Sequence, residues 1–424
     1  MKAGFYAASV LFASGFIGSA ALGIDLGSFS LFPFRILLIL LLGLLLGSCL
    51  LAGFDVRRVT GIRWYLLFLA CWCVFGTASL GWAVSQTSAI RHLLFVASGS
   101  LTVALVCYYC STTAQVKRLN AIWLLMFSIL LLVGLWEHLT GQHLPVSAFY
   151  NETRGRLMSM PTGFFHNPND YATVLALSVP FAIGLVRYGR RALAKAVGTC
   201  MIGLAFYLIL AAGSRANLIA VLVEFAVLFL VFMTTGRRVR ALAAILGAVV
   251  VASAVVPGIL DTVSSAIGNP LDSIVTQAAA ETGSIAVRAN LVRNGLNFLV
   301  RTWGFGVGAG NAEVWMASRA ALDTHGVLNL HNWWLEILVN YGIWIFAGYV
   351  LFYGGLIWKL WEKWRSSLTR DDQMMAEGLV LSLLGFAAAS ISSSSIMALT
   401  PQWLLFAFAL AFLNCARRKR EVAR

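Results

Sequence analysis

Charge is scarce in this chain. Asp, Glu, Lys and Arg make up 11% of its 424 residues, against roughly a quarter in an ordinary soluble domain, which excludes a soluble globular protein. Acidic residues are the scarcer kind, 17 against 31 Lys and Arg, for a net charge of +14. Such an excess can signal a nucleic-acid partner. Here the basic residues fall in short clusters between long apolar runs, so they read as membrane-topology signals and no nucleic acid is expected. The seven cysteines (Cys49, Cys71, Cys73, Cys107, Cys110, Cys200 and Cys415) are odd in number and lie inside apolar runs, giving neither a disulfide framework nor a metal-knuckle spacing. Eight prolines and no low-complexity stretch argue against a long disordered tail.

Apolar runs are plentiful. A spanning helix needs about 20 mostly apolar residues, and twelve runs qualify: Ala3 to Ile24, Ile36 to Phe54, Trp64 to Val84, Leu93 to Cys110, Ala121 to Trp136, Tyr171 to Val186, Ala196 to Ala212, Leu218 to Met233, Ala241 to Val256, Trp333 to Trp358, Met374 to Met397 and Ala398 to Cys415. The first leads straight into further spans, so an uncleaved helix is expected rather than a signal peptide. The fold class expected is an all-α polytopic membrane protein, residues 1–424 forming one integral membrane domain. With the N-terminus inside, 22 of the 31 basic residues fall in cytoplasmic loops, as the retention of Lys and Arg on that side requires. The other nine (Arg35, Arg91, Arg154, Arg156, Arg215, Arg288, Arg293, Arg301 and Arg319) include no lysine. Guanidinium is the side chain suited to bidentate phosphate contacts.

Two outer segments are long enough for chemistry: residues 138–170, and the 76 residues of 257–332. Within the second, Ser284 to Arg301 has helical periodicity, with Ile285, Leu291, Val292 and Leu299 on one face and Asn290, Arg293, Asn294, Asn297 and Arg301 on the other. At about 100° per residue Arg288 falls at the centre of the apolar face. It either snorkels or pairs with an acid, or it marks a buried anion site. Three spans start at this outer face with polar residues: Asn167-Pro168-Asn169-Asp170, Ser214-Arg215 and His331-Asn332. Helix N-termini favour anions through their unpaired N–H groups and dipole.

Metal-binding patterns are missing. There is no Asp-x-Asp, the single Asp-Asp pair (Asp371-Asp372) is cytoplasmic, and neither His-x-x-x-His nor Glu-x-x-His occurs. Glu137, His138 and His143 are the best remaining cluster, with a spacing that fits no common site. No metal and no cofactor are expected. Asn332, Glu336 and Asn340 share a stripe of the tenth span, so Glu336 either orients a site residue or makes a structural bond between helices. His331 and His325 compete as base candidates in one loop, and Glu224 is read as structural. Arg154 and Arg156 either meet an anionic substrate or are solvated.

In order, Gly163-Phe164-Phe165-His166-Asn167-Pro168-Asn169, Gly213-Ser214-Arg215, Arg288 ahead of Trp303-Gly304-Phe305-Gly306-Val307-Gly308-Ala309-Gly310, and His331-Asn332-Trp333-Trp334-Leu335-Glu336 resemble the O-antigen ligase family. That family includes the lipopolysaccharide O-antigen ligases, the O-antigen polymerases and the pilin O-oligosaccharyltransferases. The resemblance covers about Pro161 to Tyr341, and the first five helices add little to it. It implies a fold resembling the GT-C glycosyltransferases, placed in the bacterial inner membrane with the two long loops and the active site in the periplasm. It implies an inverting, metal-independent transfer of an O-antigen glycan from undecaprenyl diphosphate to a sugar hydroxyl of the lipid A core. By motif the family's essential residues carry over to Arg215, Arg288 and His331. Arg154, Arg156, His166, Asn167, Asn169, Arg293, Asn332 and Glu336 are the expected substrate-binding residues. The partners expected are the lipid-linked O-antigen, the lipid A-core acceptor and membrane lipids. The alternatives are an O-antigen polymerase, a protein O-oligosaccharyltransferase and, further off, a lipid or solute transporter; a transporter tends to carry mid-membrane charges and repeated halves, and neither is evident.

Overall fold

A computed structural model of the chain describes residues 2–18, 23–25, 30–152, 155–240, 283–367, 369–391 and 396–422. Among these lie thirteen α-helices and one two-residue β-bridge, in which Ile24–Asp25 pairs antiparallel with Ser30–Leu31. The helices are α1 (Lys2–Ile17), α2 (Pro33–Ala52), α3 (Arg63–Ala78), α4 (Gln86–Tyr109), α5 (Thr113–Thr140), α6 (Pro168–Tyr188), α7 (Ala192–Ala211), α8 (Arg215–Val227), α9 (Gly283–Arg301), α10 (Ala312–Arg319), α11 (Trp333–Ser366), α12 (Arg370–Ala389) and α13 (Thr400–Val422).

Eight of the helical segments are long and apolar enough to cross a membrane, and they correspond to the second to eighth and the tenth runs. The first run breaks sooner than expected: α1 ends at Ile17, where Gly18 takes φ +57°. The eleventh becomes α12, which starts at Arg370 and stops at Ser390. It carries Asp371, Asp372 and Glu377 and is nevertheless almost wholly buried, because it packs against α6, α8 and α11 instead of lipid. The ninth run, Ala241 to Val256, lies outside the described residues. Large apolar side chains such as Leu50, Leu51, Val74 and Leu351 are turned outward on the periphery, as a lipid-facing surface requires.

Local signals set the helix ends. Ser85, Asn167 and Asn332 accept backbone N–H bonds at the starts of α4, α6 and α11. Thr112 and Gln115 form a capping box on α5, which ends at Gly141 with φ +69°. Hydrogen bonds then gather several ends at one rim. Asn217 of α8 donates to the Asn169 carbonyl at the start of α6 (3.1 Å), and the Trp333 N–H of α11 donates to the Ser390 carbonyl after α12 (2.9 Å). At the opposite rim Arg187 bridges Glu377 (2.7 Å) and the Phe232 carbonyl (2.9 Å).

Below the first rim lies an aromatic core. Trp72 of α3 meets Tyr341 edge-on at 5.6 Å and also packs on Trp333, Tyr349 and Trp403. Above it α9, α10 and their connections enclose a second core of Leu291, Phe298, Val307, Trp315, Met316 and Val339. The described part of the larger loop is thus a folded cap seated on α11.

Candidate active site at the rim

The cap is fastened by backbone. The Val307 and Gly308 N–H groups donate to the Val339 and Asn340 carbonyls, and the Ile343 N–H donates to the Gly304 carbonyl. Gly342, at φ +77°, interrupts α11 here. A Cβ at this position would lie 2.2 Å from the Gly304 carbonyl oxygen, so only glycine admits the crossing. The ribbon also reaches the first helices: Trp82 Nε1 donates to the Gly306 carbonyl at 3.0 Å, and Asn311 exchanges two hydrogen bonds with the Ser85 backbone.

Against this frame Arg215, Arg288 and His331 come together. Arg215 occupies the first position of α8. The expected cap before it is absent, because Ser214 Oγ accepts from the Asn217 amide (2.8 Å) and takes no backbone N–H. The N-terminal amides of α8 therefore lack that side-chain partner, and Arg215 forms no ion pair among the described residues. Arg288 is not at the centre of a buried face. It is exposed at the margin of α9, whose buried stripe runs through Leu291, Asn294, Gly295 and Phe298. Partial burial, and then the positive charge of Arg215, lower its pKa. Two guanidiniums that repel each other at one place form an anion-seeking feature.

His331 is half-buried beside them and adopts φ +48°, a region sparsely used by residues other than glycine. Its N–H is held by Asn329 Oδ1 at 2.8 Å. Neither ring nitrogen is hydrogen-bonded among the described residues. Desolvation and then the charge of Arg288 lower its pKa, opposed by Glu313 and Glu336. A lowered pKa favours the neutral ring, the form able to accept a proton. The competitor His325 points into solvent, 74% exposed and paired with Asp323 at 3.4 Å.

The remaining candidates divide. Glu336 joins the site, held by His92 of α4 at 3.0 Å. Asn332 and Asn167 spend their carbonyl oxygens as helix caps, and Asn167 also donates to Asp170 at 3.0 Å. Asn169 contributes its backbone carbonyl to the α6–α8 junction. His166 is exposed, with Nδ1 against the Val146 carbonyl at 3.0 Å, and Arg293 is exposed on α9. Arg154 and the side chain of Arg156 lie outside the described residues. Two of the other outer arginines stack on aromatic rings, Arg35 on Phe32 and Arg319 on Trp315.

One further expectation is corrected. Asn294, assigned to the polar face of α9, is fully buried and binds the Ala321 and Leu322 N–H groups and the Leu322 carbonyl. In the cluster of Glu137, His138 and His143, Glu137 Oε1 lies 3.5 Å from His143 Nδ1 while His138 is turned away. The Glu137 carboxylate accepts from the Thr162 and Gly163 N–H groups at 2.7 and 2.6 Å, whereas His138 turns to the Ser159 carbonyl and the Tyr207 hydroxyl. Outside the stretch that carries the resemblance, α4 reaches the rim through His92 and a cavity of about 340 Å³ that includes Ser88, Arg91 and His92 on its wall. No motif announced His92; a polar residue near an outward helix start was its sole signal.

Two guanidiniums and an imidazole at one rim of a polytopic helical protein give it the groups of an anion site beside a proton acceptor. The family model described as O-antigen ligase matches residues 200–350. The chain is also 34% identical over 428 residues to the teichuronic acid biosynthesis protein TuaE of Bacillus subtilis (strain 168), covering 97% of this chain and 85% of that one. This chain belongs to the O-antigen ligase family.

Proposed function

We propose that the protein transfers a glycan from a polyprenyl diphosphate to a sugar hydroxyl on the outer side of the bacterial cytoplasmic membrane, by an inverting reaction that needs no metal. The observation that supports this most directly is that Arg288 lies within electrostatic reach of both Arg215 and the half-buried His331. The acceptor oxygen attacks the anomeric carbon as the bond to the diphosphate breaks, and His331 takes the hydroxyl proton. The two guanidiniums and the α8 N-terminus stabilise the charge growing on the departing diphosphate. The prenyl chain stays in lipid while its head group enters the rim between helices. In this reading the helical framework is of the GT-C kind.

The acceptor is the open part of the reading. The resemblance pointed to lipid A-core, whereas the relative's name refers to teichuronic acid biosynthesis. That name favours polymer growth, with a second glycan as acceptor. Purified protein supplied with the lipid-linked repeat from its own host separates the two. A ladder of longer products supports polymerisation, and a single addition to rough lipopolysaccharide supports ligation. No acceptor-dependent consumption of donor in either assay would sink the reading.

A further inference from the structure

His331 lies outside the cavity wall but is joined to it, its N–H held by Asn329 Oδ1 at 2.8 Å, and it feels Arg288 as well as Glu313 and Glu336. The cavity, of about 340 Å³, lies on the side of the two acids. Ser88, Arg91, His92, Glu313, Asn329 and Glu336 line it, and neither Arg215 nor Arg288 does. Its size lies within the usual range for small-ligand sites, about 300–1,000 Å³. Two carboxylates against one guanidinium, Arg91, leave the wall acidic on balance, which disfavours a diphosphate. Carboxylates, an amide, a hydroxyl and an imidazole do suit the alternating donors and acceptors of a polyhydroxyl ligand.

The wall is held in place. With Glu336 ionised, His92 Nε2–H donates to Oε1 at 3.0 Å, and the Tyr341 hydroxyl donates to His92 Nδ1 at 2.8 Å. Glu336 Oε2 has no hydrogen bond among the described residues and remains able to accept one from a ligand. Glu313 Oε1 accepts from Asn329 Nδ2 at 2.7 Å, which ties α10 to the loop before His331.

We infer that this cavity is the acceptor subsite: it takes a sugar residue through its hydroxyls, with Glu336 and Glu313 as acceptors of its hydrogen bonds, and delivers it to His331 from the acidic side, away from the arginines that would hold the donor diphosphate. The inference rests on the proposed glycan transfer and adds the location and chemistry of the second substrate.

The test is binding to detergent-purified full-length protein, with two probes. One is the oligosaccharide repeat of the host, cut from its lipid carrier by mild acid and free of phosphate; the other is undecaprenyl diphosphate. Arg91→Trp, which fills the cavity mouth, and Glu313→Ala, both at exposed positions, are expected to weaken the oligosaccharide at least tenfold. They leave undecaprenyl diphosphate within twofold, and Arg288→Ala does the reverse. Oligosaccharide binding that is absent from the native protein, or unchanged in both cavity variants, overturns the subsite. So does an equal loss of both probes in proteins whose unfolding midpoint is native. Undecaprenyl diphosphate binding that ignores both Arg215 and Arg288 defeats the donor reading instead and leaves the oligosaccharide result standing.

Discussion

His92 and Glu336, separated by 244 positions in the chain, meet at 3.0 Å between Nε2 and Oε1, and Tyr341 closes the other side of the imidazole at 2.8 Å. An imidazole with both nitrogens engaged is poorly placed to shuttle protons. It acts as a brace for the carboxylate, much as outer-shell partners orient reactive groups elsewhere. His92→Phe is expected to lower turnover 10- to 100-fold with undecaprenyl diphosphate binding unchanged. His92→Gln, whose amide can still donate to Glu336, recovers part of the loss. Equal damage by Phe and Gln would reduce His92 to a packing residue.

The acid limb of activity reports His331. Its folded pKa is held below 6.5 by burial and Arg288, so the neutral base persists as pH falls past 6.5 and is lost only as pH drops through the lowered value. The rate constant kcat/KM should therefore begin to fall below pH 6.5. Isotope-labelled imidazole NMR provides the check: the His331 resonance titrates below 6.5, and in Arg288→Gln its midpoint rises because the neighbouring cation is gone. An unmoved midpoint would detach His331 from Arg288.

Arginine is expected to do here what a divalent cation does in many diphosphate enzymes. Transfer survives EDTA with purified substrates, and Arg288→Lys remains impaired at least tenfold although its charge is kept, because the planar fork is lost. Rescue of EDTA-treated enzyme by magnesium or manganese alone would contradict both statements.

Orientation is tested by labelling. In a variant lacking the seven cysteines, single cysteines at the exposed positions Gln142 and Ser318 are expected to react in intact cells with an impermeant maleimide. A cysteine at the exposed Ser366 reacts only after the membrane is opened. The inverse pattern places the rim in the cytoplasm and removes the proposed setting.

Glu137 is a structural anchor. Its fully buried carboxylate satisfies the N–H groups of Thr162 and Gly163. Each N–H left unsatisfied costs about 1–3 kcal/mol, so Glu137→Ala lowers the thermal midpoint by several degrees or prevents accumulation. Glu137→Gln, which keeps one acceptor oxygen, loses less. Equal midpoints for Ala and native protein would refute the anchor.

Much of this was legible in the sequence for a physical reason: apolar length and capping chemistry are local. The starts of α6 and α11 and the span of α9 lie within one residue of where Asn167-Pro168, Asn332 and the Ser284–Arg301 periodicity put them. What escaped was non-local. Asn294 is buried because the backbone at 321 and 322 folds back over it, a partner no helical wheel can show. Arg288 lies at the edge of its face because the cap's second core draws Leu291 and Phe298 inward. His92 became part of the site through a glycine ribbon more than two hundred residues away.

That ribbon has a further consequence. Gly304, Gly306, Gly308 and Gly310 all adopt positive φ, and at Gly310 a Cβ would lie 2.7 Å from His92 Cβ. Four such positions in seven residues can carry no side chain to vary, so this wall cannot diversify as substrates change. Adaptation to a different polymer must instead fall on α4 and α10, where Arg91 and Glu313 are exposed and free to be exchanged. The substrate range of a lineage would then be written in a few positions flanking the glycine ribbon, and transplanting those positions between relatives should move specificity without moving the fold.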